Sequence, residues 1–339
     1  MEYPKVSFLI PTLNAESVLE DCLKSISIQN YPKDKVEVLI ADGGSEDNTL
    51  ELAKKYKAKV INNRLKTAEA GKMTALKASA GEFCAFVDSD NRLPDKTWLK
   101  DMIEPLINHV DVVGSEPWEY TWRKSDGFIT RYCALIGMND PMVHFLGNYD
   151  RVNLLTGKWT EVPHEEEDLG KYILVKFDNR GIPTIGANGT IFRTQFLKSA
   201  VHGDYLFDID ILSEFIQKEG SVKFIKLKRG IIHTYCENDI LKFARKQRRR
   251  VRDFLYHKSV GDRKYNWEKS STRGIIKFVL ASVTIIPLFC QATKGYLKKR
   301  DLAWFFHPLA CEITLWEYSS GAFISLFKKQ QASRKGWKQ

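Results

Sequence analysis

The sequence of 339 residues contains only six cysteines, which are scattered along the chain and form no CxxC pair. This pattern argues against a zinc knuckle or a disulfide framework and favours a reducing compartment. The sequence also lacks internal repeats and low-complexity linkers. No N-terminal signal peptide is expected, because the first apolar stretch, Val6–Ile10, runs directly into Pro11. Apolar residues make up 43% and charged residues 28% of the chain, which argues against a disordered chain or a polytopic membrane protein.

Acidic residues are scarce in the last third of the chain. Residues 242–339 contain 22 Lys and Arg but 6 Asp and Glu, whereas residues 1–241 contain 30 and 36. The net charge of +10 therefore combines an N-terminal part of −6 with a C-terminal part of +16. This asymmetry argues against a uniformly basic nucleic-acid binder and indicates a basic appendage that contacts anionic material.

Short apolar strands alternate with helical patterns in the N-terminal part. The predicted strands are Val6–Ile10, Val36–Ala41, Ala58–Ile61 and Phe83–Val87, and the predicted helices are Ser17–Gln29, Asp47–Lys57 and Gly71–Ser79. This alternation predicts βαβ units and a parallel sheet. Ligands of such sheets bind beyond the carboxyl ends of the strands, and three polar clusters, Pro11–Glu16, Asp42–Ser45 and Asp88–Asp90, fall at those ends.

The pattern is less regular after residue 115. The aromatic run Trp118–Trp122 and the acidic run Glu165–Asp168 suggest an insertion with long loops, in which the acidic run is a solvated face. Further along, Ile185–Arg193 is typical of a loop that enters a strand, Phe207–Gln217 of a helix, and Val222–Leu227 and Gly230–His233 of strands.

The sharpest chemical signal is Asp88-Ser89-Asp90, which follows the apolar strand Phe83–Val87. Two carboxylates that flank one small residue at a strand end can face a divalent cation from one side. Mg²⁺ and Mn²⁺ favour oxygen ligands of this kind and complete their shell with water and substrate phosphates. A DxD sequence also occurs in exposed turns, so the preceding strand is what favours a metal site here.

The sequence resembles the family 2 glycosyltransferases with the GT-A fold. The resemblance rests on four blocks in order, PTLNAE at 11–16, ADGGSEDNT at 41–49, AGK at 70–72 and FVDSDNRLP at 86–94. It is tight over about residues 4–110 and continues more loosely through GANGTIFR at 186–193 to His233. It implies an α/β fold with a mostly parallel sheet flanked by helices, and a nucleoside-diphosphate-sugar donor.

The resemblance also implies roles for individual residues. Asp42 would bond the nucleobase, Lys72 would approach the base or ribose, Asp88 would contact the ribose or the metal, and Asp90 would ligate Mn²⁺ or Mg²⁺. His233 matches a late histidine that reaches the metal or phosphate. The donor-binding residues expected in this part of the chain are Pro11, Thr12, Asn14, Glu16, Asp42, Gly43, Lys72, Asp88, Ser89 and Asp90.

Inverting sugar transfer needs a base that takes the proton of the acceptor hydroxyl. The family supplies it from a Glu-Asp pair that opens a helix, and the matching stretch here is FDIDI at 207–211. Asp208 aligns with the base of the family, but Phe207 replaces the usual Glu before it. The base is therefore either Asp208 or Asp210. Either carboxylate could instead stabilise the helix N-terminus. Asn188 and Gly189 match the acceptor-side loop, and a plain turn is the alternative.

The chain becomes strongly basic near Lys242. Arg245 and Arg249 lie in this run and could clamp the donor diphosphate, since Arg presents a planar fork of donors, or could face solvent or lipid. Two apolar stretches follow, Gly274–Ala292 and Leu302–Phe327. The first has 19 residues with Lys277 as its one charge, but Pro287 would kink it, so an interfacial or re-entrant helix pair is favoured over two crossings. Core helices of a soluble domain are the alternative.

Taken together, the sequence predicts a glycosyltransferase domain over residues 1–241, with donor binding in 1–110 and the acceptor side in 111–241. Residues 242–339 form a basic region with two membrane-associating segments. The expected reaction is metal-dependent, inverting hexosyl transfer from a UDP- or GDP-sugar to a lipid-linked or glycan acceptor. It would take place at the cytoplasmic face of a membrane with an anionic surface, without nucleic acid. A catalytically silent relative that binds nucleotide sugar or glycan is the alternative; a nucleotidyltransferase is disfavoured, because PTLNAE lacks a Gly-rich basic loop.

Overall fold

A computed structural model describes residues 3–201, 203–261, 263, 265 and 272–327. The chain divides into two compact units. The first contains Met1–Trp118 and Pro163–His233, and the second contains Glu119–Val162 and Thr234–Ser333. The predicted basic tail beyond residue 327, with Lys328, Lys329, Arg334 and Lys335, lies outside the described residues.

The strands are β1 (Val6–Thr12), β2 (Val36–Asp42), β3 (Lys59–Asn62), β4 (Phe83–Phe86), β5 (Asn91–Arg92), β6 (Gly114–Thr121), β7 (Glu165–Asp168), β8 (Tyr172–Asp178), β9 (Thr190–Arg193) and β10 (Ser221–His233). The α-helices are α1 (Glu16–Ser27), α2 (Thr49–Lys55), α3 (Ala68–Ala78), α4 (Trp98–Asn108), α5 (Phe128–Ile136), α6 (Pro141–Leu146), α7 (Thr194–Ala200), α8 (Asp208–Glu219), α9 (Ile240–Val260), α10 (Thr272–Thr284), α11 (Ile286–Lys298) and α12 (His307–Ser325). Short 3-10 turns cover Lys33–Lys35 and Leu302–Phe306.

The first unit is built around a ten-stranded sheet in the order β3-β2-β1-β4-β9-β6-β10-β8-β7, with the short β5 paired to β10. The strands β3, β2, β1 and β4 are parallel to one another, as predicted from the βαβ pattern. Beyond β4 the pairs β4–β9, β9–β6, β10–β8 and β8–β7 are antiparallel. The expected mostly parallel sheet is therefore wrong for the sheet as a whole, which is mixed.

The position of each strand follows from its sequence. All seven residues of β1 are buried, because a strand covered on both faces by helices has a continuous apolar sequence. The edge strand β3 is mostly exposed, because it has a neighbouring strand on one side only. In α1, Leu19, Cys22 and Leu23 point into the core at the predicted helical spacing.

Two loop predictions for the middle of the chain need correction. Residues Trp118–Thr121 belong to β6 rather than to a long loop. The strand predictions at Val222–Leu227 and Gly230–His233 are confirmed, and both segments belong to one continuous strand, β10. The acidic run Glu165–Asp168 is the edge strand β7, and all four of its residues are exposed, as expected for a solvated face. Its side chains pair with basic groups on neighbouring strands, such as Lys228 with Asp168 at 2.7 Å.

The second unit is helical. Its core gathers aromatic side chains from α5, α9 and the turn before α12, including Tyr132, Phe243, Trp304 and Phe306. The sequence analysis placed residues 119–162 with the catalytic domain, whereas the structure assigns them to this unit. The physical reason is that α5 buries its apolar face against Leu302–Phe306, a contact between segments far apart in sequence.

The helices α10 and α11 come from the first predicted apolar stretch. In the described part of the chain, no single helix has the length and apolarity to cross a membrane, but this pair meets both criteria when taken together, with a bend of 95° between its members. The break falls at Ile285, and Pro287 opens α11. The predicted interruption near Pro287 is thus present, because proline is accommodated in the first turn of a helix but not in its interior.

Candidate active site

The carboxylate of Asp42 organises the loop that follows β2. It accepts hydrogen bonds from Thr12 Oγ1 (3.0 Å), Gly44 N (2.9 Å), Ser45 N (2.8 Å) and Ser45 Oγ (2.5 Å). An ionised carboxylate offers about four acceptor positions, so this one is fully engaged. A nucleobase N–H that bonded Asp42, as predicted, would therefore replace the hydroxyl of Thr12 or of Ser45.

The other predicted nucleotide-pocket residues are tied to the same loop. Asn14 has a φ of +49°, and its side-chain oxygen accepts from Glu46 N at 2.8 Å. Glu16 Oε2 accepts from Asn48 N at 3.1 Å and from Asn48 Nδ2 at 2.9 Å. The blocks PTLNAE and ADGGSEDNT thus form one hydrogen-bonded cluster at the carboxyl ends of β1 and β2.

Helix α3 brings Lys72 to the site. A Cβ on Gly71 would lie 2.7 Å from Pro11 Cβ, so only glycine allows α3 to pack this closely on β1. The hydroxyl of Thr67 caps the helix by accepting from Ala70 N at 3.1 Å. These features explain why the AGK block packs against the PTLNAE block.

The buried Lys72 and the partly buried Asp208 form an ion pair across 136 positions of sequence, with Nζ 2.9 Å from Asp208 Oδ2. The ammonium also lies 5.3 Å from the centre of the Phe86 ring. Burial opposes the charged form of Lys72, but the carboxylates of Asp208 and Asp88 outweigh it and raise the pKa of Lys72. The structure therefore places Lys72 next to the candidate base, and its predicted contact with a nucleobase or ribose stays a prediction.

The second oxygen of Asp208 is available for chemistry. Asp208 Oδ1 is buried and, within the residues that the structure describes, has no hydrogen-bond partner. Burial raises the pKa of Asp208 to about 6, against the opposing effect of Lys72. A general base works best when its pKa is near the operating pH, so this carboxylate is suited to accept a proton.

Asp210 lies two residues further, in the first turn of α8, and is buried. Asp208 forms the ion pair with Lys72, and its Oδ1 is buried without a hydrogen-bond partner among the described residues. The choice between the two carboxylates stays a prediction, and these two features favour Asp208. Its position at the start of α8 also brings it under the loop of residues 186–190, where a Cβ on Gly186 would lie 2.4 Å from Asp208 Cβ.

The DxD segment is held against the end of β10. The pairing of β5 with β10 places Asn91 opposite His233, which brings His233 Nε2 to 3.2 Å from Asp90 Oδ1. Both side chains are buried, with 7% and 4% of their surface exposed. Asp88 is partly exposed, its N–H donates to Asn91 Oδ1 at 2.9 Å, and Ser89 is fully buried.

The donor set fits a divalent cation that a substrate helps to bind. No cluster of three or more His, Cys, Asp or Glu side chains able to hold a metal by itself occurs in the described ranges. Asp90 and His233 nevertheless supply an oxygen and a nitrogen that converge within 3.2 Å. Mg²⁺ commonly uses one or two carboxylates together with substrate phosphates and water, so this pair, with Asp88 beside it, is sufficient for such a site.

The predicted acceptor-side loop, residues 186–190, contacts both Asp208 and the residue that follows the DxD segment. Asn188 Oδ1 accepts from Asn91 Nδ2 at 2.9 Å, and Gly189 N donates to Phe86 O at 2.7 Å. Asn188 is buried and has a φ of +49°, a conformation that asparagine tolerates better than most residues. The loop therefore packs against Asp208 at Gly186, and Asn188 bonds it to Asn91 after the DxD segment.

Three residues of this site were missed by the sequence analysis. Asn91 directly follows the DxD segment, and this adjacency was the available signal. Glu116 and Lys226 lie in β6 and β10, and both are fully buried in an ion pair of 2.6 Å. Their strands contain other charged residues, such as Glu119 in β6 and Lys223 in β10, so the sequence does not single out this pair.

The predicted diphosphate clamp lies in α9 of the second unit. Arg245 is mostly exposed, with its guanidinium 3.8 Å from Asp239. Other basic residues of this helix are engaged inside the unit, since Arg248 makes two hydrogen bonds of 2.6 Å with Glu317, and Lys246 lies 4.3 Å from the centre of the Tyr235 ring. The donor contacts of Arg245 and Arg249 remain predictions.

Residues 7–132 match the family model described as glycosyl transferase family 2. This segment contains Asp42, Lys72, Asp88 and Asp90. The match agrees with the resemblance deduced from the N-terminal blocks and is limited to residues 7–132.

Parts of the chain are similar to two glycosyltransferases. The chain is 31% identical to glycosyltransferase AglE of Haloferax volcanii over 142 residues, 40% of this chain and 46% of that protein. It is 38% identical to the poly(ribitol-phosphate) beta-N-acetylglucosaminyltransferase TarS of Staphylococcus aureus over 111 residues, 31% of this chain and 19% of TarS. The matched segments therefore span less than half of the length of these relatives.

The fold is similar to that of the mannosyltransferase PcManGT from Pyrobaculum calidifontis, solved in complex with GDP-Man and Mn²⁺. The TM-score is 0.54 at 15% identity, and the match covers 97% of this chain and 89% of that chain. This similarity confirms the α/β GT-A-like glycosyltransferase fold.

Proposed function

We propose that the protein is a metal-dependent, inverting glycosyltransferase that passes a sugar from a nucleoside-diphosphate sugar to a hydroxyl group. The observation that carries this proposal is the environment of Asp208. One of its oxygens is bound to the buried Lys72 ammonium, and the other is buried and unpartnered among the described residues. The match to glycosyl transferase family 2 and the similarity to two glycosyltransferases support glycosyl transfer as the reaction class.

In this mechanism Asp208 Oδ1 accepts the proton of the acceptor hydroxyl. The hydroxyl oxygen attacks the anomeric carbon from the side opposite to the diphosphate. The new glycosidic bond forms as the bond to the diphosphate oxygen breaks, and its electron pair leaves with the nucleoside diphosphate. Lys72 keeps Asp208 Oδ2 occupied, so that Oδ1 is the oxygen directed at the acceptor.

The DxD segment supports the leaving group. Asp90 and His233, with Asp88 beside them, would hold Mn²⁺ or Mg²⁺. When bound, such a cation offsets the negative charge that builds on a departing diphosphate. The loop around Asp42, Asn14 and Glu16 would form the nucleoside pocket.

The direct test is a donor screen. Purified full-length protein is incubated with UDP- and GDP-sugars, with Mn²⁺ or Mg²⁺ and with extracted lipids or glycans, and the products are identified by mass. We expect metal-dependent release of nucleoside diphosphate from one class of donor and a glycosylated lipid or glycan. Binding of a nucleotide sugar or glycan without turnover of any donor would instead support the catalytically silent alternative.

The environment of Asp208 predicts the pH dependence of this reaction. Because burial raises the pKa of Asp208 to about 6, we expect kcat/KM to increase with pH up to about that value and to level off above it, as the carboxylate ionises. Lys72→Met should shift this increase in kcat/KM to higher pH, because Lys72 lowers the pKa of Asp208 against the effect of burial. A limb near the ordinary aspartate value in both proteins would contradict the assignment of Asp208 as the base.

We also propose that the second unit associates with the anionic, cytoplasmic face of a membrane. Helices α10 and α11 expose a set of large apolar side chains: Ile276, Val279, Leu280, Val283, Ile286 and Phe289. Basic residues such as Arg273, Lys277 and Lys294 lie on the same two helices, and each contributes about 1 kcal/mol near an anionic surface. All six cysteines are free, which suits a reducing compartment.

Vesicle flotation tests this membrane proposal. We expect the protein to float with phosphatidylcholine vesicles that contain phosphatidylglycerol, and to float less with phosphatidylcholine alone or in high salt. Replacing the exposed Val283 and Ile286 with Asp should abolish flotation, whereas the same change at the exposed Val110, in the first unit, should not. Flotation that survives the Val283 and Ile286 changes would contradict the assignment of this surface.

A further inference from the structure

A fully buried ion pair lies below the candidate acceptor site. Lys226 Nζ lies 2.6 Å from Glu116 Oε2, and neither side chain has any exposed surface. The same ammonium donates to Pro117 O at 3.0 Å. Transferring two charges out of water is costly, and apolar residues of similar size commonly stabilise a fold at least as well. Stability alone therefore does not account for this pair.

The other oxygen of the carboxylate is bonded to the acceptor-side loop. Glu116 Oε1 accepts from Gly186 N at 3.1 Å and from Thr190 Oγ1 at 2.9 Å. These two donors lie at the beginning and the end of the segment 186–190. One oxygen atom thus fixes both ends of the loop, while Lys226 fixes the carboxylate itself.

This loop is in contact with both halves of the proposed chemistry. At one end, the backbone of Gly186 approaches Asp208 so closely that an added Cβ would lie 2.4 Å from Asp208 Cβ. In its middle, Asn188 is bonded to Asn91, the residue that follows the DxD segment. A displacement of the loop ends would therefore move the surface against which Asp208 packs.

We propose that Glu116, held by its counter-ion Lys226, is a positioning residue that sets the distance between the base Asp208 and the acceptor hydroxyl. The inference rests on the proposed glycosyl transfer. It assigns the function of the pair to the hydrogen-bond acceptor Oε1 and not to the charge. Lys226 serves to keep Oε2 occupied, so that Oε1 is directed at the loop.

Two double variants separate these possibilities. Glu116→Gln with Lys226→Met removes both charges but keeps a side-chain oxygen that can accept from Gly186 N and Thr190 Oγ1. Glu116→Met with Lys226→Met also removes both charges and has similar volume, but it offers no oxygen. Because both variants lack an unpaired buried charge, both are expected to fold, and thermal melting checks this.

We expect the variant with Gln to retain most of the wild-type kcat on the donor found in the screen. The variant with Met should lose about 100-fold in kcat, the effect of a misplacement of about 1 Å at a reacting centre. Its affinity for the nucleoside diphosphate with Mn²⁺, measured by calorimetry, should be unchanged, since the loop around Asp42 is untouched. A purely structural role would lower melting temperature and nucleotide affinity together.

A second measurement does not depend on turnover. Hydrogen exchange followed by mass spectrometry should show faster exchange of the peptide that contains residues 186–190 in the Met variant than in the Gln variant. Equal kcat and equal exchange in the two variants would overturn the inference. If the wild-type protein turns over no donor, the proposed function fails, and the exchange experiment still decides whether Glu116 positions the loop.

Discussion

Asp208→Asn is expected to reduce donor turnover by about 10²–10⁴-fold, the usual contribution of a positioned general base. The amide has nearly the same shape as the carboxylate, but it cannot take the proton of the acceptor hydroxyl. Affinity for nucleoside diphosphate with Mn²⁺ should change little, because the contacts of Asp208 are with Lys72 and the acceptor-side loop. Steady-state kinetics on the donor found in the screen and calorimetry with the product nucleotide measure the two quantities.

Asp210→Asn is the matched control, since it makes the same change two residues away on α8. Asp210 is buried as well, so this control also reports the effect of an amide inside the helix start. We expect its turnover to remain close to that of the wild-type protein. A larger loss in Asp210→Asn than in Asp208→Asn would transfer the role of base to Asp210.

The Asp208→Asn variant leaves Lys72 buried without its counter-ion, which could lower stability independently of catalysis. A second variant, Asp208→Asn with Lys72→Met, removes that charge. If the loss of turnover reflects the missing base, the double variant recovers melting temperature but not kcat. Recovery of kcat would show that the single change acted through misfolding.

The N-terminal half of the sheet was predictable because its signals are local. A strand such as β1 reads as a continuous apolar run, since it is buried on both faces, and each turn after it contains polar or glycine residues. The strands after β4 were harder to predict, because an antiparallel partner is chosen by distant packing. The segment 115–121 has the composition of a loop, but it is a strand because β9 pairs with its first residues.

The same distinction applies to the site. The hydrogen-bonded cluster of the PTLNAE and ADGGSEDNT blocks was predictable, because its residues fall within short blocks at strand ends. The pairs Lys72–Asp208 and Glu116–Lys226 join residues 136 and 110 positions apart, and no spacing rule connects them. The block that contains Lys72 suggested a contact with the donor, which stays a prediction, but it gave no indication of the ion pair with Asp208.

The basic C-terminal region also differs from what its charge suggested. Within α9, Arg248 is bound to Glu317, and Arg250 donates to Gln247 Oε1 at 2.6 Å and to Asn139 O at 3.4 Å. Part of the positive charge thus stabilises the second unit from within. Exposed groups such as Arg245 are the ones left to attract anions, so net charge alone overstates the surface available to lipid or phosphate.

Asp90→Asn is expected to lower turnover by about 10²–10³-fold, comparable to the loss of a preorganised electrostatic contact to a developing negative charge. Asp90 is the buried carboxylate of the DxD segment and lies 3.2 Å from His233 Nε2. Replacing it with an amide removes a charged oxygen ligand and keeps the shape. The affinity of Mn²⁺ in the presence of nucleoside diphosphate should fall in parallel, which calorimetry measures without any turnover.

Asp111→Asn provides the matched control, because Asp111 is an exposed carboxylate that pairs with Lys223 at 2.5 Å, away from the DxD segment. Its turnover and Mn²⁺ affinity should equal those of the wild-type protein. His233→Gln should weaken Mn²⁺ binding less than Asp90→Asn does, since it removes a neutral ligand and leaves both carboxylates. Wild-type turnover that persists in excess chelator, or an Asp90→Asn protein that binds Mn²⁺ normally, would mean that this pair of side chains is a structural contact of β5 with β10 and that the metal, if used, binds elsewhere.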